Sequence, residues 1–320
     1  MELDGARTEQ IFSKKFAYPL RRAIYEFPFN QNFMEDIYKL KPEQFPEGLN
    51  EIPQPPKTLY IRGKLPSEDM IYLAVVGSRK YTSYGKDICE KLIRGLKGHP
   101  IVIVSGLAIG IDTIAHKAAL EAGITTISFP GSGLDNSVLY PRVNIKLAQE
   151  IINKGGCLIS EFEPNAISQL YFFPQRNRLM AGISKAVLII EAEEKSGTLI
   201  TARMAVDYNR DVLAVPGSAF SSNSNGTNSL IKQGATPVVC SNDILEALGF
   251  EIEKEKKSDK EKYADCGKDE MKIIELLREP MERNDLIREL GMNIGPANAL
   301  LSIMEIKELI KEELGEIRRI

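Results

Sequence analysis

The sequence predicts an α/β fold: a doubly wound, mostly parallel sheet followed by a small C-terminal winged-helix domain. Two observations support this. Short apolar, β-branched runs alternate with helical stretches through the middle of the chain, which is typical of strand–helix–strand units. Near the C-terminus, three short helical segments precede a strand pair around Gly315. That order indicates a winged helix-turn-helix.

The length and composition fit a globular core with small additions. The chain has 320 residues, of which 43% are hydrophobic and 27% charged. Four segments are predicted: a short helical or extended N-terminal segment (1–58), the main α/β domain (59–250), a charged linker (251–264) and the winged helix (265–320). The linker is interpreted as a tether.

Several classes of protein are disfavoured by composition. No apolar run approaches the roughly 20 residues that a membrane span needs. The N-terminal residues do not resemble a signal peptide. The four cysteines are widely spaced, so neither a disulfide framework nor a zinc site is indicated, and a cytoplasmic location is expected. The net charge of −3 argues against a generic DNA-coating protein, although residues 60–250 carry 19 Lys/Arg against 17 Asp/Glu.

The predicted strands and helices of residues 33–160 alternate along the chain. A helical patch is predicted at 33–40, and the Pro-rich segment 45–63 leads into a strand at 59–62. Further strands are expected at 72–76, 101–104, 125–129 and 157–160. The helices between them are expected at 83–96, with Ser83 as its cap, at 111–122, with Asp112 in its first turn, and at 144–154.

The stretch from residue 170 to 217 organises the rest. A buried strand at 186–191 precedes a polar turn at 192–197, a helix from Thr198 and a second strand at 212–215. Ahead of them stand aromatic and basic residues, a combination that suits a polyanion whose bases can stack. They are Phe172, Phe173, Arg176, Asn177 and Arg178.

Four glycine-bearing turns fall at carboxyl ends of predicted strands, the edge where such sheets bind ligands. They contain Gly77, Gly106, Gly131 and Gly197. Together they favour a phosphate site, although glycine can also simply permit a tight turn. The G-x-G-x-x-G fingerprint is absent, which disfavours a dinucleotide enzyme. Lys195–Thr198 contains P-loop residue types in the wrong order, so it is interpreted as a backbone anion cradle. Lys195 is either a phosphate partner or a solvated turn residue.

The arginines also have two interpretations. Arg79 follows a strand end and can point into the crevice, and Arg176 to Arg178 could bond phosphates or base edges. Arg178 could instead form a buried ion pair with Glu161 or Glu191. At least one of Phe172 and Phe173 is expected in the core. His99 and His116 have no nucleophile nearby, and no metal site or cofactor is predicted.

The chain resembles the bacterial DNA-processing protein A family (DprA, also called Smf). The resemblance lies in ordered motifs that cover most of residues 59–248: LYIRG, VVGSR, SGLAIGID, GSGLDNSVLYP, ISE, FPQRNRLMAGIS, EAEEKSGTLITARMA, VLAVPG and GTNSLIKQGA. Two departures are visible. Ile109 occupies a position that is usually basic in the family, and the N-terminal region lacks a convincing helix-hairpin-helix pattern.

The resemblance implies an extended Rossmann-like core that binds single-stranded DNA without catalysis, forms homodimers and loads the RecA recombinase, in natural transformation where the host has it. The DNA-binding residues it implies are Ser78, Arg79, Phe173, Arg176, Asn177, Arg178, Lys195, Ser196, Gly197 and Thr198. Gly106, from the glycine-bearing turns, completes the set of predicted DNA-binding residues. The alternative is a Rossmann-like nucleotide phosphoribohydrolase of the lysine decarboxylase-like type, although its P-G-G-x-G-T-x-x-E signature is absent. A transcription regulator would require double-stranded specificity. The helix predicted at 296–307 has little positive charge, so protein contact or dimerisation is as well supported as groove reading.

Overall fold

The computed structural model describes residues 36–251, 263, 266–307, 309–313 and 315–319. The chain forms two compact units, Met1–Phe250 and Glu251–Ile320. Most of the predicted N-terminal segment and nearly all of the predicted linker therefore lie outside the described residues.

Among its described residues, the large unit is built on a sheet of nine strands. Its order is β1-β2-β6-β5-β4-β3-β7-β8-β9. The strands are β1 (Ile37–Leu40), β2 (Leu59–Gly63), β3 (Ile71–Val76), β4 (Ile101–Ser105), β5 (Thr126–Ser128), β6 (Cys157–Ser160), β7 (Ala186–Ile189), β8 (Asp211–Ala214) and β9 (Thr236–Pro237). The strands from β6 across to β9 are parallel, while β2 pairs with β6 and β1 pairs with β2 in antiparallel register. The predicted α/β fold with a mostly parallel sheet is confirmed.

The chain order reverses next to β3. Strands β4, β5 and β6 extend the sheet on one side of β3, and the chain then returns to place β7, β8 and β9 on the other side. The crevice between the carboxyl ends of β3 and β7 is therefore the topological switch point, where open α/β sheets bind ligands.

Eight helices of the described residues accompany this sheet. They are α1 (Glu47–Asn50), α2 (Ser83–Arg94), α3 (Ile111–Ala122), α4 (Ile145–Asn153), α5 (Phe172–Ile183), α6 (Thr198–Asp207), α7 (Asn225–Lys232) and α8 (Ser241–Ala247). The predicted cap of α2 is wrong by one residue, since the Thr82 side chain, not Ser83, accepts from the Gly85 amide. Gly123 ends α3 in the left-handed conformation, at φ 74°.

The core lies on both faces of the central strands. Leu73, Ile103 and Leu188 are fully buried in neighbouring strands. Burial of such a side chain stabilises the fold by about 1.5–3 kcal/mol. Strands covered on both faces need continuous apolar runs, which is the pattern that predicted them.

The helical patch predicted at 33–40 is wrong where the structure describes it. Residues Ile37–Leu40 form an edge strand, and Leu40 pairs with Leu59. Four residues are too few to establish a helical period, and the open edge of β2 supplies backbone partners that a short isolated helix would lack.

Where the structure describes it, the small unit combines three helices with a three-stranded antiparallel sheet. Its elements are α9 (Lys268–Leu276), β10 (Met281–Glu282), α10 (Arg283–Leu290), α11 (Ile294–Ile306), β11 (Ile310–Glu313) and β12 (Glu316–Arg319), with strand order β10-β12-β11. Apolar side chains such as Ile273, Leu286 and Leu301 form its own core. Three helices and a terminal hairpin are present in the predicted order, and the winged-helix designation itself stays a prediction.

Within the described part of the chain, no helix is both long enough and apolar enough to cross a membrane.

Candidate functional site

A cleft of about 480 Å³ opens at the switch point. It lies between the loop after β3, the first half of α5 and the turn that starts α6. The side chains and backbone that line it are Val76, Gly77, Ser78, Arg79, Lys80, Ala108, Asp112, Phe173, Pro174, Arg176, Asn177, Met180, Glu193, Ser196, Gly197, Thr198, Ile200 and Thr201. We call it the main cleft.

Arg79 and Lys80 are the exposed basic residues on one wall of the main cleft. The Arg79 guanidinium carbon lies 5.3 Å from the centroid of the Phe173 ring, a cation–π distance. The Lys80 carbonyl accepts from Ser78 Oγ at 2.9 Å and from Asn223 Nδ2 at 2.7 Å. These bonds fix the loop, so the two cations are presented from a rigid support.

Phe173 lies in the first turn of α5 and is half-buried. Its ring meets the edge of Tyr140 at 5.9 Å between centroids. A Cβ at Gly131 would come within 2.6 Å of the Phe173 ring, so only glycine allows this close approach. A smaller pocket of about 40 Å³ lies here, with Ile109 on its wall. The Phe173 ring thus packs against Gly131 and Tyr140, while the residue still lines the main cleft.

Arg176 is buried beneath the main cleft. Its Nη1 donates to the carbonyl oxygens of Gly106, at 2.5 Å, and Phe129, and so ties the end of β4 to the end of β5. Burial lowers the pKa of Arg176 to about 10, an effect that Asp112 opposes. This side chain supports the floor of the site, and its Nη1 is occupied by hydrogen bonds to backbone carbonyls.

Asp112 supports the same floor from α3. Its Oδ2 accepts from the Gly106 amide at 3.1 Å, so both backbone polar groups of Gly106 are engaged. Burial raises the pKa of Asp112, while Arg176 and the Ala108 and Gly106 amides act in the opposite direction. The loop between β4 and α3 holds Leu107 at φ 61°, a strained position for leucine, and Asn144 Nδ2 bonds the Leu107 carbonyl at 2.7 Å.

Arg178 forms a buried ion pair with Glu161, which is the predicted alternative to a contact with phosphates or bases. Its Nη2 bonds both carboxylate oxygens of Glu161 at 2.5 Å, and its Nη1 donates to the carbonyl of Gln54. Both side chains are largely buried, at 13% and 15% exposure. Arg178 therefore ties α5 to the segment after β6, and it does not line the main cleft.

Hydrogen bonds within the turn before α6 hold its shape. The Ser196 amide donates to the Glu193 carbonyl at 3.1 Å, and the Thr198 amide donates to Ser196 Oγ at 3.1 Å. Thr198 Oγ1 reaches across to the Gly77 carbonyl at 3.2 Å and links the two walls. These bonds fix the turn beside the loop after β3, and its role as a backbone anion cradle stays a prediction. Lys195 is exposed on this turn.

Glu191 is a buried carboxylate at the end of β7. It accepts from the Thr82 amide at 2.9 Å and from Thr82 Oγ1 at 2.5 Å. A Cβ at Gly85 would come within 2.2 Å of this carboxylate. Glu191 therefore anchors the start of α2 beside the site.

The structure gathers most of the predicted residues. Eight predicted positions line the main cleft: Ser78, Arg79, Phe173, Arg176, Asn177, Ser196, Gly197 and Thr198. Gly106, Arg178 and Lys195 are not part of its lining. Sequence reasoning missed Lys80, Tyr140 and Glu193. Adjacency to Arg79 could have indicated Lys80, whereas the other two depend on how loops meet in space.

The histidines lie away from the cleft. His99 contacts the Phe250 ring, and His116 is buried with its Nδ1 2.7 Å from Thr126 Oγ1. Across the residues that the structure describes, no three His, Cys, Asp or Glu side chains are grouped so that they could hold a metal ion.

Comparisons with known proteins agree with these motifs. A protein-family model described as DNA recombination-mediator protein A matches residues 36–249. The chain is 37% identical over 253 residues to the DNA processing protein DprA of Streptococcus pneumoniae, covering 78% of this chain and 86% of that protein. It is 40% identical over 208 residues to protein Smf of Escherichia coli, covering 65% of this chain and about half, 55%, of Smf.

Two solved structures resemble the fold. The crystal structure of S. pneumoniae DprA has a TM-score of 0.61 at 38% identity, and the match covers 69% of this chain and 77% of that one. A structure of DNA processing protein A from Helicobacter pylori, described for its unique single-stranded DNA binding mode, has a TM-score of 0.60 at 32% identity and covers 67% of this chain and 96% of that one.

Proposed function

The chain belongs to the DNA recombination-mediator protein A family, and from this premise we propose that its main cleft binds single-stranded DNA without chemical turnover. The protein would hold the strand, protect it and pass it to the RecA recombinase. It would act in the cytoplasm, where the DNA is processed.

The observation that carries this proposal is the arrangement of Arg79 over Phe173 in the main cleft. A guanidinium can bond phosphate oxygens in bidentate fashion, and a ring beside it can stack on a base. Within the lining, Arg79 and Lys80 are the exposed cations and Glu193 is the exposed carboxylate. On the turn beside it, Lys195 is exposed next to the exposed Glu194.

Single strands suit this site better than duplexes. Phe173 is half-buried between the two walls, so a base must leave its stack to reach the ring. An unpaired strand does this at little cost, whereas a duplex must first lose pairing and stacking. The description of the H. pylori relative points the same way.

Among the described residues, the floor of the main cleft offers no free carboxylate for catalysis, and the exposed carboxylate of its lining is that of Glu193. Asp112 is the buried carboxylate of the main cleft, and its oxygens are engaged by backbone amides next to Arg176. A nucleotide phosphoribohydrolase would need a carboxylate that can act on its substrate. Incubation with AMP-type nucleotides separates the two functions, because base release would support the enzyme.

Recombinase loading and dimerisation rest on the family resemblance. A dimer with two equivalent clefts would gain avidity on one long strand. A strand-exchange assay tests the loading step. A single-strand-binding protein that coats the DNA inhibits RecA, and addition of the full chain should relieve that inhibition.

A mobility-shift series tests the core of the proposal. A labelled single-stranded oligonucleotide and its duplex of equal length are titrated with the full chain at several salt concentrations. We expect tighter binding of the single strand at every concentration. Equal affinity for both forms, or a preference for the duplex, would contradict the proposal.

A further inference from the structure

A second groove runs between α2 and α3, with a volume of about 350 Å³. We call it the α2–α3 groove. Its lining contains one aromatic ring, two lysines and two carboxylates among smaller residues. The full lining is Tyr81, Lys86, Glu90, Gly110, Thr113, Ile114, Lys117 and Glu121. None of these residues is used by the site described above.

Charge is divided unevenly along this groove. The two carboxylates share one partner: Arg94 Nη2 lies 3.2 Å from Glu90 and 3.3 Å from Glu121. Lys86 is only loosely associated with Glu90, at 3.9 Å, and half of its side chain is exposed. Lys117 is also exposed on α3. The lining itself carries two lysines and two carboxylates, and Arg94 beside it pairs with both carboxylates, so Lys86 and Lys117 are left as the more available charges.

Tyr81 gives the groove a stacking surface. Its side chain is 45% exposed and is therefore accessible to a base. The next residue, Thr82, is fixed through its amide and hydroxyl by Glu191. The ring thus stands on a support that loses little entropy when a ligand binds.

The groove adjoins the main cleft through the loop that carries Arg79. Arg79 and Lys80 line the main cleft, and the next residue, Tyr81, lines the groove. Gly110 packs under the loop, where a Cβ would come within 2.6 Å of the Arg79 Cα. A strand that leaves the main cleft across Lys80 therefore meets the groove next.

We propose that the α2–α3 groove binds the nucleotides that follow those in the main cleft, on the same single strand. Tyr81 stacks on a base, while Lys86 and Lys117 contact successive phosphates. This inference rests on the proposed function and extends its footprint from one cleft to two. A continuous track combining cations and rings is what sequence-tolerant single-strand binding needs.

The test compares two oligothymidines, one of about 4 and one of about 16 nucleotides, within the range of site sizes known for single-strand binding folds. Affinity is measured by fluorescence anisotropy across salt concentrations. The variants of the full chain are Lys86→Ala with Lys117→Ala, and Tyr81→Ala. The control is Lys91→Ala with Lys97→Ala, which removes the same charge from exposed positions that do not line the groove.

We expect the Lys86/Lys117 variant to bind the long oligonucleotide more weakly and to lower the slope of its salt dependence by about 1.4, since each phosphate contact on a single strand contributes about 0.7. Tyr81→Ala should weaken binding of the long oligonucleotide about tenfold or more, with an unchanged slope. Binding of the short oligonucleotide should match the wild type in both variants.

Other outcomes separate this inference from the proposed function. If Arg79→Ala weakens binding but the groove variants match the Lys91/Lys97 control, the groove is not part of the track. Equal losses on short and long oligonucleotides would also overturn it, because the effect would not depend on footprint. If the wild type binds neither oligonucleotide, the proposed function itself fails.

Discussion

Replacing Arg79 with alanine removes the side chain that we propose as the phosphate contact of the main cleft. Arg79 is exposed, and its guanidinium lies over the Phe173 ring. Its replacement by alanine should therefore leave the free energy of unfolding within about 0.5 kcal/mol of the wild type. Its bond to a phosphate is charge-assisted and is worth about 1.5–3 kcal/mol. Affinity for a single strand should therefore fall roughly 10- to 150-fold.

The salt dependence makes this prediction specific. Loss of one phosphate contact should lower the slope of log affinity against log salt by about 0.7. Anisotropy titrations at four or more salt concentrations measure both quantities. Lys154→Ala, which removes an exposed charge outside the main cleft, is the matched control. Arg79→Lys should recover the slope but only part of the affinity, because lysine cannot bind a phosphate in bidentate fashion.

An unchanged affinity and slope in Arg79→Ala would refute the assignment of Arg79 as a phosphate contact. A loss equal to that of Lys154→Ala would do the same, since it would reflect net charge alone.

Three further predictions address neighbouring residues. Phe173→Ala should weaken single-strand binding by about 1–3 kcal/mol with an unchanged salt slope, and Phe173→Tyr should retain most of it; a changed slope in anisotropy titrations would argue against stacking. Arg178→Ala should lower the urea midpoint while oligonucleotide affinity stays near that of the wild type, because its partner is Glu161; a large loss of affinity without loss of stability would place Arg178 on the DNA. Burial, and to a lesser extent Arg176, lowers the pKa of His116 from 6.5 to about 3. The unfolded chain therefore binds a proton that the folded chain rejects, and stability should fall as pH drops below 6.5, by about 1.4 kcal/mol per pH unit for this one group. His116→Gln should flatten the pH dependence of the urea midpoint between pH 7 and pH 5. An equally steep pH dependence in the variant would contradict the role given to His116.

The central fold was predictable because local and global preferences agree. The strands around Leu73, Ile103 and Leu188 are continuous apolar runs that fit only a sheet covered on both faces. The glycines that end them mark the edge where the cleft forms. The strand at Ile37–Leu40 was missed because its structure depends on pairing with β2, a contact that no local pattern encodes.

The site was predictable in position but not in the role of each arginine. Arg79, Arg176 and Arg178 have the same chemistry, and sequence spacing cannot say which one faces solvent. The helix that carries the last two turns Arg176 toward the Gly106 and Phe129 carbonyls and Arg178 toward Glu161. Only Arg79 of the three is left exposed in the main cleft.

Photocrosslinking locates the strand most directly. A single-stranded oligonucleotide that carries 5-iododeoxyuridine is bound to the full chain, irradiated, digested and analysed by mass spectrometry, since this base crosslinks to a stacked aromatic ring. We predict that the modified peptide contains Phe173 and that Phe173→Ala abolishes this crosslink. A crosslink confined to the small C-terminal unit, with Phe173 unmodified, would contradict the claim that the main cleft holds the DNA.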